Sequence, residues 1–345
     1  MLITTLHGPV STPVFMPVGT AAAVKSLSRQ DLEQVGAQII LANNYHLYLR
    51  PGSHNIKRLG GIHKFMNWPH PILTDSGGFQ IQSLHPKITN EGAEFKSHID
   101  GSTHFLTPET ATQSQLDIGS DIIMAFDHSI PKNASYEYAK EAMSRTHLWL
   151  LRCIKTWKQH TSTLKLLHSP ALYGIIQGGE FPDLLRESAK FVVAQDLPGI
   201  AIGGAVIGSN PRQTSETIAA VRDLLPKNLP LYAMGVGTRP SDLINVFKAG
   251  ANMCDCVAPT RLARAGLLYN SESKNERIDI SKSQFKLDQN PVDSQCDCTT
   301  CRDYTRAYLH HLFKSRELTY YRLASIHNLR FTFKTVSIFT QTQAV

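Results

Sequence analysis

Short runs of apolar residues alternate along the chain with longer stretches in which apolar residues recur at helical spacing. Most of the runs end in a small or polar residue, which is the pattern of a strand buried on both faces of a parallel sheet. The runs cover residues 13–18, 38–43, 71–75, 122–127, 172–177, 199–203, 231–235 and 253–257. Amphipathic stretches lie at residues 28–35, 107–119, 136–160, 182–195, 212–225 and 240–249. Strands and helices are therefore predicted to alternate.

Eight strand and helix units predict an α/β protein with a closed (β/α)8 barrel of the TIM type. The alternative is an open, doubly wound sheet, in which a Gly-rich phosphate loop follows the first strand. Here Gly19-Thr20 follows the first strand, and this segment lacks the G-x-G-x-x-G pattern. The barrel is therefore favoured, and a chain of 345 residues leaves room for additional segments.

Two segments do not fit a plain barrel. Polar and apolar residues alternate at about residues 85–106, with turn-forming glycines at 92 and 101, which predicts a β-hairpin inserted after the third strand. Residues 269–345 begin with a polar segment and end in a helix-like stretch. We therefore predict a barrel with the catalytic site over residues 1–268, and a zinc-binding subdomain with the terminal barrel helix over residues 269–345.

The second of these segments carries a metal-ligand pattern. Cys296, Cys298 and Cys301 have the spacing C-x-C-x-x-C, and His327 follows in the helix-like stretch. Three thiolates and one imidazole complete a tetrahedral shell for Zn²⁺ and leave no position for a substrate. The sequence therefore predicts a structural zinc, with chance clustering of cysteines as the alternative, and the chemistry is expected elsewhere.

The composition is that of a globular protein, with 42% hydrophobic and 18% charged residues. No run approaches the roughly 18 apolar residues of a membrane span, and the N-terminus lacks the pattern of a secretory signal. The six cysteines do not suggest a disulfide framework. We therefore expect a cytoplasmic protein without membrane contact. The net charge of +7 permits a polyanionic partner but does not establish one.

Three aspartates interrupt the apolar runs near their ends, at Asp75, Asp127 and Asp255. In a (β/α)8 barrel the carboxyl ends of the strands form the active site, so these aspartates are expected to converge there. Each one alone could be a helix N-cap or part of an ion pair. Two carboxylates in one cleft, without an open metal site, indicate substitution at an anomeric carbon. One carboxylate attacks the sugar, and the other donates and accepts protons on the leaving group.

Groups suited to a flat ring accompany these aspartates. The glycines of Ser76-Gly77-Gly78 permit close approach of the backbone to a ligand, and Phe79 can stack on it. Asp127, Gln177 and the backbone at Gly204 can bind the edges of a planar heterocycle. The combination predicts glycosyl transfer on a nucleoside.

Residues 253–264 add charge next to Asp255. Side-chain alternation directs Asp255 to one face of the strand and Cys254 and Cys256 to the other, so the two cysteines are interpreted as packing residues. Arg261 and Arg264 can share one face of a helical turn. They are interpreted either as a phosphate clamp or as a solvated face.

Together these segments resemble the tRNA-guanine transglycosylase family, whose members exchange a guanine at the wobble position of tRNA for a 7-deazaguanine base. The similar blocks lie in order over nearly the whole chain. They are residues 13–20, 43–47, 50–52, 74–80, 124–127, 174–179, 234–238 and 255–264, followed by the four zinc ligands.

The resemblance implies roles for single residues. Asp255 is expected to attack C1′ of the ribose and form a covalent tRNA intermediate. Asp75, oriented by Asn43, is expected to be the general acid or base. Phe79 and Met234 are expected to sandwich the base.

Further expectations concern the edges of the base, the tRNA and the assembly. Ser76, Asp127, Gln177 and Gly204 are expected to bind the base. Arg261 and Arg264 are expected to hold tRNA phosphates. Family members bind zinc through the same four ligands and usually work as dimers, so a homodimer is expected.

The chain departs from the family pattern in the expected base pocket. Bacterial members usually have Glu-Cys where this chain has His128-Ser129. They also have Leu and Glu where it has Ala205 and Ser209. Ala205 is smaller than Leu and opens volume beside the base. The loss of Glu at Ser209 removes a hydrogen-bonding partner for an aminomethyl group. We hypothesise that the enzyme accepts the bulkier base queuine instead of, or besides, its aminomethyl precursor.

Two other functions remain as alternatives. Paired carboxylates also serve hydrolytic glycosidases, so a nucleosidase acting on nucleic acid is the first. A non-catalytic subunit that binds tRNA is the second. The presence of Asp255 argues against the second alternative, because an inactive relative is expected to lack a carboxylate at the nucleophile position.

Overall fold

The structure is a computed structural model that describes residues 1–162, 169–204 and 210–343. Its strands are β1 (Leu2–Thr5), β2 (Gly8–Ser11), β3 (Val14–Pro17), β4 (Ile40–Asn43), β5 (Ile72–Asp75), β6 (Lys87–Ile88), β7 (Ala93–Lys96), β8 (Thr103–Leu106), β9 (Ile122–Met124), β10 (Ala171–Ile176), β11 (Gly199–Ile202), β12 (Leu231–Ala233), β13 (Met253–Cys256), β14 (Leu267–Tyr269) and β15 (Arg277–Asp279).

Its helices are α1 (Arg29–Val35), α2 (Asn44–Leu49), α3 (Ser53–Arg58), α4 (Ile62–Met66), α5 (Gly78–Gln82), α6 (Pro108–Ile118), α7 (Tyr136–Thr161), α8 (Pro182–Val193), α9 (Pro211–Arg222), α10 (Pro240–Lys248), α11 (Ala258–Arg264), α12 (Thr299–Asp303), α13 (Arg306–Lys314) and α14 (Leu318–Gln343).

Eight parallel strands form the central sheet, in the order β4-β5-β9-β10-β11-β12-β13-β3. A parallel bridge between Val18 and Leu41 connects the two ends of this order, so the sheet closes into a barrel. The Gly19 N–H donates to the Leu41 carbonyl at 2.6 Å across the same seam. Each apolar run singled out in the sequence contains one of these strands, except that β10 begins one residue before its run. The predicted (β/α)8 barrel is therefore confirmed.

Alternating side chains divide the core into two layers. The layer inside the barrel, here called the inner cluster, contains Val14, Met16, Leu41, Leu73, Met124, Tyr173, Ile175, Ala201, Tyr232 and Met253. The layer between strands and helices includes Phe15, Ile40, Ile123, Ile176 and Cys254. Residues that are neighbours in sequence thus pack on opposite faces of the sheet. This arrangement is the physical reason for the continuous apolar runs.

A two-stranded hairpin, β1–β2, precedes the barrel and was not predicted. Val10 and Ile3 of the hairpin pack against the inner cluster. His7 in its turn bonds through Nδ1 to Asp121 at 2.9 Å, and His63 of α4 bonds through Nε2 to the other oxygen at 2.9 Å. Asp121 directly precedes β9, so the hairpin lies at the amino ends of the barrel strands. Active-site residues are expected at the opposite ends.

The insertion after β5 contains three antiparallel strands, β6, β7 and β8, rather than the two of a hairpin. The additional strand β6 is short and pairs with the beginning of β7. The Tyr45 hydroxyl of α2 lies 2.7 Å from His98 Nδ1 in the loop between β7 and β8. The inserted sheet is therefore attached to a helix that directly follows a barrel strand.

The C-terminal part combines the antiparallel pair β14–β15 with α12, α13 and the long helix α14. Helix α14 packs against α1, α10, α11 and β3, so it covers the barrel between its first and last strands. Because α14 belongs to both parts, the division of the chain at residue 268 stays a prediction. Among the described helices, none has the length and apolar character needed to cross a membrane.

Candidate active site and metal cluster

A cavity of about 730 Å³ opens at the carboxyl ends of the barrel strands. Nine of the residues that the sequence singled out line it: Asn43, Asp75, Ser76, Phe79, Asp127, Gly204, Met234, Asp255 and Arg261. Gln177 lies behind this lining and Arg264 lies outside it. The cavity thus brings together side chains from strands that are far apart in sequence.

Asp75 is the last residue of β5, and its carboxylate is buried. The Asn44 backbone N–H donates to Oδ1 at 2.9 Å, and the Gln80 amide donates to Oδ2 at 3.0 Å. The Asn43 amide also donates to Oδ2. Burial, and to a smaller extent the Asp255 charge, raise the pKa of Asp75 to about 7 against the effect of these hydrogen bonds. This carboxyl group can therefore give or accept a proton at neutral pH.

Asp255 on β13 has a different set of donors. The Tyr232 hydroxyl donates to Oδ1 at 2.6 Å, and the Gly235 backbone N–H donates to the same oxygen at 2.7 Å. Burial raises the pKa of Asp255, while these two hydrogen bonds lower it. Tyr232 is not among the site residues predicted from the sequence. Its position two residues before Met234 on one strand face is a signal that could have identified it.

Asp127 follows β9 and is held by two side chains. The Ser76 hydroxyl donates to Oδ1 at 3.1 Å, and the Gln177 amide donates to Oδ2 at 2.7 Å. Burial raises the pKa of Asp127 to about 6, although both hydrogen bonds lower it. A Cβ at Gly78 would lie 2.6 Å from the Asp127 carbonyl oxygen, so only glycine fits this approach.

The Gln177 side chain has one free acceptor. Its Oε1 is buried and has no hydrogen-bond partner among residues 1–162, 169–204 and 210–343. A Cβ at Gly204 would lie 3.1 Å from this oxygen, and a Cβ at Gly203 would lie 2.9 Å from the amide nitrogen. Both glycines line the cavity. Their lack of side chains leaves the Gln177 amide close to the cavity.

Two of the residues that line the cavity have large apolar side chains. Phe79 on α5 is 61% exposed although its ring lines the cavity, and Met234 follows β12. Ser129 also contributes to the lining. Ala205 and Ser209, on which the hypothesis of a bulkier base rests, lie outside the residues that the structure describes.

Nearly the whole chain is similar to the proteins of one family. The family model described as queuine tRNA-ribosyltransferase matches residues 2–341. A queuine tRNA-ribosyltransferase of Herpetosiphon aurantiacus is 50% identical over 329 residues, which are 95% of this chain and 81% of the relative. The chain belongs to the queuine tRNA-ribosyltransferase family.

Two further members of the queuine tRNA-ribosyltransferase family are similar over the same extent. The protein of Caldanaerobacter subterraneus is 49% identical over 335 residues, and that of Staphylococcus epidermidis is 47% identical over 335 residues. In both comparisons the match covers 96% of this chain and 86% of the relative. The resemblance inferred from the sequence blocks is thereby confirmed.

The two arginines of this queuine tRNA-ribosyltransferase family member differ in their surroundings. Arg261 on α11 lines the cavity. Arg264 donates from Nη1 to the Thr260 carbonyl at 2.9 Å, and burial, then the Arg261 charge, lower its pKa. Of the two arginines, only Arg261 therefore lines the cavity.

The cysteines next to Asp255 are buried. Cys254 packs in the outer layer, while Cys256 packs there and also borders the cavity. Burial raises the pKa of Cys256 to about 12 and that of Cys254 well above its usual value. Both groups are thus neutral thiols at physiological pH. This protonation state disfavours a nucleophilic role.

Cys296, Cys298, Cys301 and His327 form one cluster whose possible ligand atoms all lie within 4.8 Å of one another. His327 Nδ1 is 3.2 Å from Cys301 Sγ and 3.6 Å from Cys298 Sγ. Tetrahedral zinc with usual bond lengths separates sulfur and nitrogen ligands by about 3.6 Å. His327 Nε2 lies 2.7 Å from the Tyr269 carbonyl, to which it must donate. In the neutral imidazole this donation leaves Nδ1 as the nitrogen with a free lone pair beside the thiols, so the cluster fits a metal ion.

His7, His63 and Asp121 form a second cluster with metal-ligating side chains. The two imidazole rings are stacked, with centroids 3.5 Å apart and planes at 12°. An ion between parallel rings would lie outside the plane of both, whereas a metal ion binds in the plane of an imidazole. The arrangement is therefore a hydrogen-bonded clamp.

Proposed function

We propose that this protein is a tRNA-guanine transglycosylase, which replaces the guanine at the wobble position of tRNA by a 7-deazaguanine base. The observation that carries the proposal is that Asp75 and Asp255 line one cavity with different hydrogen-bond donors. Two carboxylates with unequal surroundings can take unequal roles in substitution at an anomeric carbon. The membership of the family supports this substrate and reaction.

Asp255 is the proposed nucleophile. Its carboxylate attacks C1′ of the ribose as the bond from C1′ to guanine N9 breaks, and a covalent ribosyl ester forms. The incoming base then attacks C1′ from the side that guanine left, and the carboxylate is released. Two displacements at C1′ return the sugar to its original configuration.

Asp75 is the proposed general acid and base. With a pKa of about 7 it can hold the proton that departing guanine takes up, and it can accept the proton that the incoming base releases. Its position beside the amides of Asn43 and Gln80 fixes the direction of Oδ2. Asp255 at the same cavity keeps a proton on Asp75 up to higher pH, because both carboxylates do not readily carry charge together.

The base itself is proposed to lie between Phe79 and Met234. Ser76, Asp127 and the backbone at Gly204, which all line the cavity, are proposed to bind the edges of the base. The free Gln177 Oε1 is suited to accept a hydrogen bond from an amino group of a purine-like ring. A buried acceptor without a partner is unfavourable, so a ligand that donates to it is preferred over one that cannot.

Zinc is the proposed metal at the Cys296, Cys298, Cys301 and His327 cluster. Four protein ligands complete a tetrahedral shell, so the ion is structural and takes no part in the exchange. Arg261 and Arg264 are the proposed contacts to tRNA phosphates, and a homodimer is the proposed assembly. A location in the cytoplasm stays a prediction.

Queuine, instead of or besides its aminomethyl precursor, is the proposed incoming base. The proposal rests on the residue types at Ala205 and Ser209; the accompanying departure at Ser129 borders the cavity. Competition between the two bases for guanine-loaded tRNA tests it. Clear preference for the precursor would contradict it.

The decisive experiment for the reaction is to trap a covalent complex of protein and tRNA under denaturing conditions. We expect a complex with the unaltered protein, none with Asp255→Asn, and a normal amount with Asp242→Asn. Asp242 is a buried aspartate outside the cavity and is the matched control. Release of free guanine without uptake of labelled base would instead indicate a hydrolase. Failure to exchange any base would favour a non-catalytic tRNA-binding subunit.

A further inference from the structure

Both hydrogen bonds that Asp255 receives go to one oxygen. The Tyr232 hydroxyl is 2.6 Å and the Gly235 N–H is 2.7 Å from Oδ1. No other residue that the structure describes donates a hydrogen bond to Oδ2. The two carboxylate oxygens, which are equivalent in solution, are therefore different in the fold.

Tyr232 is rigidly placed for this contact. It is fully buried on β12, and its ring packs in the inner cluster. Burial, and then the Asp255 charge, raise its pKa well above the usual tyrosine value. The hydroxyl therefore keeps its proton at physiological pH and acts as a permanent donor.

We propose that Tyr232 is a positioning residue that reserves Oδ2 of Asp255 for attack and speeds the breakdown of the covalent intermediate. This inference rests on the proposed function. Gly235 assists through its backbone N–H. The charge of Oδ1 changes in opposite directions during the two displacements, so its donors affect the two steps differently.

In the first displacement, an electron pair of Oδ2 forms the bond to C1′, and the pair of the broken glycosidic bond leaves with guanine N9. The protonated Asp75 supplies the proton that N9 gains. Oδ1 changes from a carboxylate oxygen to an ester carbonyl oxygen, so it loses negative charge. Donors at Oδ1 therefore stabilise the starting carboxylate more than the transition state, and they do not speed this step.

In the second displacement, N9 of the incoming base forms the bond to C1′, and the electron pair of the ester bond returns to Oδ2. Asp75 accepts the proton of the base. Oδ1 now gains negative charge, and its two donors are already in place to stabilise it. Hydrogen bonds to a charged group are the stronger ones, so Tyr232 favours this step.

The test is a comparison of Tyr232→Phe with the unaltered protein in a guanine-exchange assay. Labelled guanine and guanine-loaded tRNA make the assay independent of base preference. We expect the variant to break down the covalent complex about 10- to 100-fold more slowly, which is the usual effect of one hydrogen bond to a charged group. Formation of the complex is expected to keep its rate or to increase. The trapped complex should therefore accumulate.

Tyr173→Phe is the matched control. Tyr173 is also fully buried in the inner cluster, but its hydroxyl has no hydrogen-bond partner among the described residues. Removal of this hydroxyl is expected to leave both displacement rates unchanged. Thermal unfolding of each variant shows whether the barrel remains intact.

A second substitution at position 232 is expected to change the amount of covalent complex in the opposite direction. A fluorinated tyrosine introduced at position 232 is a more acidic and stronger donor, so less covalent complex is expected at steady state. Unchanged breakdown in both Tyr232 variants, or slower formation with unchanged breakdown, overturns the inference. If the unaltered protein exchanges guanine, the proposed function stands in that case. If it exchanges none, the proposed function itself fails.

Discussion

At the scale of single residues, the cavity contains carboxyl groups whose charged form is unfavourable because the fold buries them. Asp75 and Asp127 are buried, and burial raises their pKa to about 7 and about 6. Neither is near an arginine or lysine that compensates its charge by an ion pair in the described residues. Groups of this kind reduce stability at neutral pH and are typical of functional sites.

The stability of the protein should reflect the Asp75 carboxyl group. Its pKa is raised in the fold from 3.8 to about 7, so the folded state binds the proton more tightly than the unfolded state. The resulting stabilisation is present below pH 3.8 and is lost as pH rises to about 7. We expect Asp75→Asn to become more stable relative to the unaltered protein between pH 4 and pH 8, by up to about 4 kcal/mol. Urea unfolding at both pH values measures the difference.

Asp303→Asn is the control for this prediction. Asp303 is exposed, and its hydrogen bonds with Arg302 lower its pKa. Its substitution should show no gain in stability from pH 4 to pH 8. An equal gain in stability from pH 4 to pH 8 in both variants would show that the raised pKa of Asp75 is not the cause.

At the scale of elements, Asp121 connects three segments that are distant in sequence. Its carboxylate accepts hydrogen bonds from His7 in the β1–β2 turn, from His63 of α4 and from the Ile72 N–H at the start of β5. Burial raises its pKa, but these hydrogen bonds outweigh burial and lower it. Asp121 therefore contributes stability that is present at neutral pH and lost in acid.

We expect Asp121→Asn to lower the free energy of unfolding at pH 7 by about 2 to 4 kcal/mol, because a buried carboxylate with several donors is removed. The difference from the unaltered protein should shrink as the pH falls. Urea unfolding at pH 7 and at pH values below 3.8 measures it, because the lowered pKa places the loss below that value. Asp117→Asn, which removes an ion pair with the exposed Lys57, should lower stability by less than about 1 kcal/mol. Similar losses in both variants would argue against the clamp.

At the scale of the whole molecule, one helix joins the barrel to the cluster of Cys296, Cys298, Cys301 and His327. Helix α14 supplies His327 and packs on α1, α10 and β3. Cys298 and Cys301 belong to the same packed layer as the barrel helices. The cluster is therefore part of the main core and not a separate body.

Cys298→Ser should consequently lose the metal ion and destabilise the whole protein by several kcal/mol. Because α14 joins the parts, we expect one unfolding transition at lower temperature and not a separate transition for the C-terminal part. Metal analysis and calorimetry measure these two effects. Cys153→Ser, at a buried cysteine outside the cluster, should retain a full equivalent of zinc. Zinc below one equivalent in the unaltered protein would contradict the assignment.

The sequence by itself determined the eight strands, because every barrel strand is buried on both faces and must be apolar. It also determined the cysteine and histidine cluster, whose spacing follows from tetrahedral ligation, and the aspartates at the strand ends. The N-terminal hairpin and helices α2 to α4 were not predicted, because they are short and their stability comes from packing on the barrel.

Only the tertiary structure decided how those residues work. The bonds of Tyr232 and Gly235 to a single oxygen of Asp255 join separate strands, and no local pattern specifies them. The pKa of Asp75 depends on burial and on a charge that is brought close by closure of the barrel. Sequence patterns record which positions are buried or polar. Side chains that are distant in sequence come into contact, and exclude solvent, only when the chain is folded.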